Sequence, residues 1–504
     1  MLETLDNVQS LTWFLPEVAL IAGLLLVILW DLIARGRSRI TGIVVLTLAA
    51  LATSGGLNAM YLTASTVKPL LLFHGMLSFD PFAHLFRVLF AGVAAVVVVF
   101  AAPSPETGAG TKSRGGAGEF FTLLLVVTLG LNLMVMSRNL LMIYLSLEMV
   151  SVMSFVLAGF KIDDRKSAEA ALKYVIFGGT ASGIMLYGMS WLFGLARSLD
   201  LGDIATRVAL DTSHEGRVPL AILVAVICIM AGFGYKISAA PFHMWSPDVY
   251  EGAPTSITAF LSVGPKAAGF AVLVRFFQEA LHATARVDGQ LTPWAVIAGT
   301  LAMATMIVGN FTALHQSNVK RMLAYSSIAH AGYMLLGFCV FDQSGVDAII
   351  FYLIAYAFMN LGAFLVVAAV AERSGGNENI DAFRGLGSRA PVLAASMAVF
   401  LFSLTGLPPF AGFIGKFYIF AALVNQGGSW NWTLATIGVI NSVVSLFYYA
   451  RIVRAMYLTK STETAPFTAR VAWSAVTTVL AVPTILIGVY WAPIYDLVST
   501  SLSH

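Results

Sequence analysis

The sequence predicts an all-α polytopic membrane protein of about 14 transmembrane helices, and three observations carry that class. Of its 504 residues 58% are hydrophobic and 11% charged, against roughly 25% charged in an ordinary soluble domain, and the mean hydropathy is +0.84. Apolar runs of about 20 residues, the length of a helix that crosses a bilayer, recur along the chain. None alternates with period two, so a β-barrel is excluded and the embedded backbone must pair within helices.

Taken in order, the runs start near residues 12, 40, 82, 119, 139, 168, 218, 254, 292, 320, 345, 391, 432 and 471. The opening MLETLDNVQS is acidic where a secretory signal would be basic, and no small-residue cleavage site follows, so the first span is expected to be retained. Every second connection is basic: Arg35, Arg37 and Arg39; Lys112 and Arg114; Lys161, Arg165 and Lys166; Lys320 and Arg321; Arg373, Arg384 and Arg389; Arg451, Arg454 and Lys460. The intervening ones carry fewer (Lys68, Arg138, Arg286), and the 197–217 loop mixes Arg197, Arg207 and Arg217 with acidic residues. The positive-inside rule then places both termini outside. A net charge of +3, with no basic stretch interleaved with aromatics, points to no nucleic-acid partner. Cys228 and Cys339 lie in apolar runs and offer neither a disulfide framework nor an iron–sulfur or metal site. The glycine-rich GAGTKSRGGAG at 108–118 lacks phosphate-loop spacing and reads as a flexible cytoplasmic connector.

Two spans are interrupted in the same way. In span 7, Gly232, Gly234 and Pro241 break the run around Lys236; in span 12, Gly406, Pro408 and Pro409 directly precede Lys416. The lysines are 180 residues apart (416 − 236), close to the 173 between the starts of spans 4 and 9 (292 − 119). Gly/Pro-interrupted segments at matching places in two halves mark an ion path between repeats. The expected organisation is a three-helix segment 1–118, two five-helix repeats at 119–281 and 282–460, and a C-terminal helix at 461–504. An odd number of helices per repeat makes the second inverted.

Sorting charges by depth separates two populations. Almost every arginine, Arg138, Arg275, Arg451 and Arg454 among them, lies within about two turns of a span end, where its stem can snorkel to the headgroups. Near mid-span stand Glu148, Lys236, Lys266 and Lys416, with Lys173 and His330 nearer the boundary between the populations. No deep cation in this reading is an arginine. A guanidinium keeps its proton, whereas a buried lysine can release one. Each deep charge costs on the order of 2.5 to 3.5 kcal/mol by insertion scales, which packing alone rarely justifies. Glu148 is the expected counter-ion of Lys236, a pair worth about 4 kcal/mol at about 4 Å and an effective dielectric near 20. A mobile break at Gly234–Pro241 would let that distance change. The plainer readings are a static Glu148–Lys236 pair, Lys266 satisfying backbone carbonyls, Lys416 or Lys173 snorkelling (the latter beside Glu169), and His243 and His330 as satisfied polar residues. His315, Lys320 and Arg321 read as a solvated inner helix edge.

The stretches KISAAPFHMWSPDVYEGAPTSITAFLSVGPKAAGF (236–270), ALHQSNVKRMLAYSSIAHAGYMLLG (313–337) and LTGLPPFAGFIGKF (404–417) closely resemble the N-type antiporter-like subunits of the proton-pumping NADH:quinone oxidoreductase, respiratory complex I. The resemblance implies a 14-helix membrane-arm subunit with a proton path across two inverted repeats. By motif, Glu148 and Lys236 would be the coupled pair of the inner half-channel, Lys266 the central relay and Lys416 the group that delivers protons outward. Lys173 would be auxiliary, and His243 and His330 connectors. A lysine in the twelfth span, where M-type subunits typically carry glutamate, and the short tail after the last span favour N over its sisters, although the plastid-type homologue shares PDVYEGAPT. The full set of early spans implies a bacterial inner membrane. The resemblance also implies M- and K-type neighbours and no cofactor in this chain, with NADH, flavin, iron–sulfur clusters and quinone in or near other subunits. Moving a proton against about 150 mV costs roughly 3.5 kcal/mol, so partners must drive it. The lysine-plus-broken-helix pattern is shared with secondary cation/proton antiporters, the alternative reading, and a passive scaffold is a third.

Overall fold

The computed structural model describes residues 3–64, 68–102, 104, 116–215, 218–281, 286–287, 290–291, 293–340, 342–460 and 470–502. Lys112, Arg114 and most of the glycine-rich connector, together with Arg217, lie outside the described residues. The chain forms two compact units, one of Met1–Ile237, Gly264–Val296 and Thr500–His504, the other of Ser238–Val263 and Ile297–Ser499.

The first unit begins with a small sheet, β1 (Glu3–Thr4), β2 (Leu70–Leu72) and β3 (Leu77–Phe79), in which β2 pairs parallel to β1 and antiparallel to β3. Its helices are α1 (Asn7–Trp13), α2 (Leu15–Ile33), α3 (Arg37–Thr63), α4 (Pro81–Ala101), α5 (Ala117–Met136), α6 (Leu140–Ala158), α7 (Arg165–Ala196), α8 (Leu201–Glu215) and α9 (Leu220–Ile237). The second unit holds α10 (Trp245–Gly252), the start of α11 (Thr255–Ala280), most of α12 (Pro293–Ala313), then α13 (Val319–Phe338), α14 (Gln343–Arg373), α15 (Leu386–Arg389), α16 (Pro391–Thr405), α17 (Ala411–Gln426), α18 (Ser429–Leu458), α19 (Val471–Val489) and most of α20 (Ala492–Leu502). The rest of α11 belongs to the first unit.

Among the described residues, 12 helices are long and apolar enough to cross a membrane. The 20-residue α13 and the broken α16/α17 segment take the remaining two expected positions. Every expected span start lies within about three residues of a helix start. Caps explain this accuracy. Asp80 accepts from the Ala83 amide ahead of Pro81 in α4, Asn139 caps α6 through Leu141, and Asn318 caps α13 through Arg321.

The units share a register. Asn139 bridges to Asp200 in the first and Asn318 to Asn379 in the second, so both members recur 179 residues later (318 − 139 and 379 − 200). α7 and α14, the helices that follow α6 and α13, are 32 and 31 residues long.

The structure departs from expectation in three places. The β1–β3 sheet lies in segments too short to span, where local pairing is free to form. Gly232 and Gly234 do not break span 7: α9 runs through both to Ile237, and Gly232 is instead a packing site, because a Cβ there would lie 2.4 Å from Met185 Sδ. The break comes at 238–244, where Ser238 has a φ of 60° and the Ala240–Pro241 peptide is cis. Pro265, inside α11, leaves the helix unbroken. The carbonyl of Leu261, which a proline four residues on cannot reach, accepts from Tyr250 Oη at 3.4 Å.

Candidate functional site

In the first unit Lys236 occupies the last turn of α9 and is buried. Its Nζ donates to Ser151 Oγ on α6 at 3.1 Å. Ser151 donates its own hydrogen to the Leu147 carbonyl at 2.8 Å, so only its lone pairs face the amine. Glu148 lies three residues earlier on α6, with Oε1 buried and without a hydrogen-bond partner. The expected direct Glu148–Lys236 contact is therefore replaced by a serine one turn along the same helix face, which the amine meets first. Lys266 is buried on α11. One turn further, Gly269 lets α11 approach α9 so closely that a Cβ there would lie 3.3 Å from Lys236 Cγ. The Lys236 stem thus packs on the helix that carries Lys266. Lys173 stands apart: 36% exposed, it pairs with Glu169 at 2.8 Å one turn away on α7.

In the second unit α16 ends at Thr405 and Gly406 turns the chain with a φ of 87°. Lys416 on α17 reaches back to that break. Its Nζ donates to the carbonyls of Leu404 (3.1 Å) and Thr405 (2.9 Å) and to Ser442 Oγ (2.9 Å), and lies 4.4 Å from the centroid of the Tyr333 ring. The two carbonyls are those that the end of α16 leaves without intrahelical partners, at the negative end of its dipole. Ser442 donates to the Thr405 carbonyl at 2.8 Å, repeating the role of Ser151.

Around this lysine sequence reasoning missed a row of hydroxyls and amides. Asn310 donates to Tyr333 Oη (3.3 Å) and to Asn441 Oδ1 (3.2 Å), and accepts from Tyr448 Oη (3.0 Å). His330 is buried on α13 between Tyr352 Oη, 2.6 Å from Nδ1, and Tyr449 Oη, 3.3 Å from Nε2. Tyr449 in turn meets Ser326. Asn310, Asn441 and Ser442 interrupt long apolar runs in spans 9 and 13, the signal that could have found them. His243 lies in the 238–244 connection with Nδ1 buried and without a partner.

A family signature described as NADH:quinone oxidoreductase/Mrp antiporter, TM, spans residues 137–445, more than half of the chain. Subunit N 2 of the NADH-quinone oxidoreductase of Sorangium cellulosum is 62% identical over 500 residues, covering 99% of each chain, and subunit N of Anaeromyxobacter is 44% identical over 514 residues, covering 99% of this chain and 97% of its own. The chain belongs to the subunit N family of NADH-quinone oxidoreductases. Among solved structures, respiratory complex I from Thermus thermophilus contains a chain 28% identical with a TM-score of 0.78, covering 96% of this chain and 99% of its own. A chain of the Mrp complex from Dietzia shares the fold, with a TM-score of 0.80 at 19% identity over 97% of each chain.

The N-type motif PDVYEGAPT acquires a physical meaning here. Asp248 and Glu251 on α10 hold Arg321 at 2.7 and 2.9 Å. Lys320 is not a solvated edge: 1% exposed, it donates to the Ala253 and Glu251 carbonyls at the end of α10 (2.8 and 3.3 Å) and pairs with Glu378 at 3.2 Å. The motif thus clasps α10 to the start of α13.

Two arginines of this subunit N chain also depart from expectation. Arg87 is a deep cation, fully buried on α4 with Glu17 from α2 at Nε–Oε1 2.9 Å. Asn132 donates to the same carboxylate at 3.1 Å, and Asn58 pairs with His84 at 2.9 Å beside it. Arg275 does not snorkel. It is 5% exposed and donates to the Val135 carbonyl (2.9 Å), Glu279 (2.9 Å) and Asp80 (3.1 Å), while Arg138 pairs with Glu279 at 2.7 Å. Burial alone would raise the Asp80 carboxyl, but Arg275 and the Ser78 and Ala83 hydrogen bonds hold it at about 2. Asp80 is therefore a fixed anion at neutral pH.

Proposed function

We propose that this chain is a proton-translocating membrane-arm subunit of an NADH:quinone oxidoreductase, moving protons outward through its buried lysines while redox chemistry in partner subunits supplies the energy. One observation carries the reading: in each unit a buried lysine at a helix break donates to a serine whose own hydrogen is tied to a backbone carbonyl. Such an acceptor tolerates a neutral amine, because losing the proton strands no carboxylate that was in contact with it. In this reading Lys236 and Glu148 form the inner half-channel, Lys266 the relay and Lys416 the outward donor. His330 and its tyrosines act as connectors, His243 is a second connector, and Lys173 is auxiliary. Repeats at 119–281 and 282–460, both termini outside a bacterial inner membrane, and M- and K-type neighbours complete it. The shared 179-residue register supports the repeats.

The test is an assembled complex carrying Lys236→Ala or Lys416→Ala, with NADH oxidation and proton translocation measured together. Coupled oxidation is expected to fall at least about tenfold, a barrier rise of about 1.4 kcal/mol or more. Unchanged translocation in both variants contradicts the reading.

A further inference from the structure

The pump reading uses the lysines and leaves unexplained the four-charge cluster of Asp80, Arg138, Arg275 and Glu279. A cleft of about 260 Å³ opens there, lined among others by Pro69, Asp80, Arg138, Arg275, Gln278 and Ser501. It is polar and large enough to hold several waters. Its floor is Arg275, whose donors are committed to Val135, Glu279 and Asp80 and whose guanidinium lies 5.1 Å from the centroid of the Phe82 ring. Nine residues back along the same helix, about 13 Å at 1.5 Å per residue, is Lys266. The 18-residue window that marks α11 as a span is wholly buried.

We infer that Arg275 is an electrostatic barrier that insulates Lys266 from water in this cleft, so that protons at that membrane face cannot pass along α11. A guanidinium is suited to this work for the reason it is unsuited to the relay: it never gives up its charge. Fixed arginines exclude protons from other membrane pores by the same means. The carboxylates on either side hold the barrier in place. The permanently ionised Asp80 and the doubly paired Glu279 leave it neither mobile nor able to shuttle protons. Repulsion across about 13 Å at an effective dielectric near 20 corresponds to about a tenfold change in crossing rate.

The inference rests on the proton-path reading and is tested apart from it. Whole complex is reconstituted in vesicles, a pH gradient is imposed without NADH or quinone, and its decay is followed with an entrapped pH dye. Arg275→Gln is expected to leak about tenfold faster than wild type, and adding Lys266→Ala is expected to return the leak to the wild-type rate. Wild-type tightness in Arg275→Gln, or a leak that Lys266→Ala does not suppress, overturns the barrier. Should Arg275→Gln fail to assemble, Arg275→Lys decides: it keeps the cation and is expected to stay tight, and a leak there overturns the inference. Failure of the pump reading shows elsewhere, as unchanged NADH-driven translocation in Lys236→Ala.

Discussion

The Lys416 amine faces two carbonyls and a hydroxyl, whereas the Arg87 guanidinium faces a carboxylate. These contacts divide the buried cations into those suited to changing charge and those fixed in it. Arg87 and Glu17 join α4 to α2 as a fixed anchor, and removing one partner strands the other in an apolar interior. Arg87→Leu is expected to destabilise the chain by about 3 to 5 kcal/mol, and Glu17→Leu combined with Arg87→Leu to recover most of it. Thermal denaturation of the detergent-solubilised complex measures both. The depth of Lys236, Lys266 and Lys416 was legible because it depends only on position within an apolar run. The anchoring of Arg87, Arg275 and Lys320 was not, since their partners come from segments 70, 195 and 58 residues away (87 − 17, 275 − 80 and 378 − 320). For the same reason Ser151 was passed over for Glu148: a carboxylate in an apolar run stands out by composition, and a serine does not.

The broken helices depend on close backbone approach. Gly412, in the first turn of α17, donates to Ser403 Oγ at 3.0 Å, and a Cβ added to it would lie 1.9 Å from the Ser403 carbonyl oxygen. Backbone cannot yield as a side chain can, so α17 would be pushed from α16 and Lys416 from its carbonyls. Gly412→Ala is expected to cost about 1 to 3 kcal/mol and to lower the amount of assembled complex. Gly183→Ala on α7, where nothing lies within 4 Å, is the neutral control. Quantitative immunoblotting of purified membranes compares the two. Helix positions were legible because capping residues flank strong apolar runs. The role of Gly232 was not, because a glycine that breaks a helix and one that admits a neighbouring methionine look alike in sequence.

The shared register extends to the sites themselves. Moving 179 residues forward takes Ser151 to His330 and Glu148 to Ser327 (330 − 151 and 327 − 148). The first unit therefore holds its lysine near a carboxylate, and the second sets its lysine among tyrosines, amides and an imidazole. A lysine beside a buried carboxylate favours taking up a proton, and one ringed by neutral oxygens releases it without leaving a bare anion in contact. That asymmetry gives the two units different tasks in one path and agrees with uptake in the first and delivery in the second. The central claim is that an amine, and not merely a positive charge, is required in the second unit. Lys416→Arg in the assembled complex tests this most directly, with protons translocated per NADH oxidised as the readout. The account expects the ratio to fall as it does for Lys416→Ala, because a guanidinium stays protonated; a wild-type ratio in Lys416→Arg would contradict it.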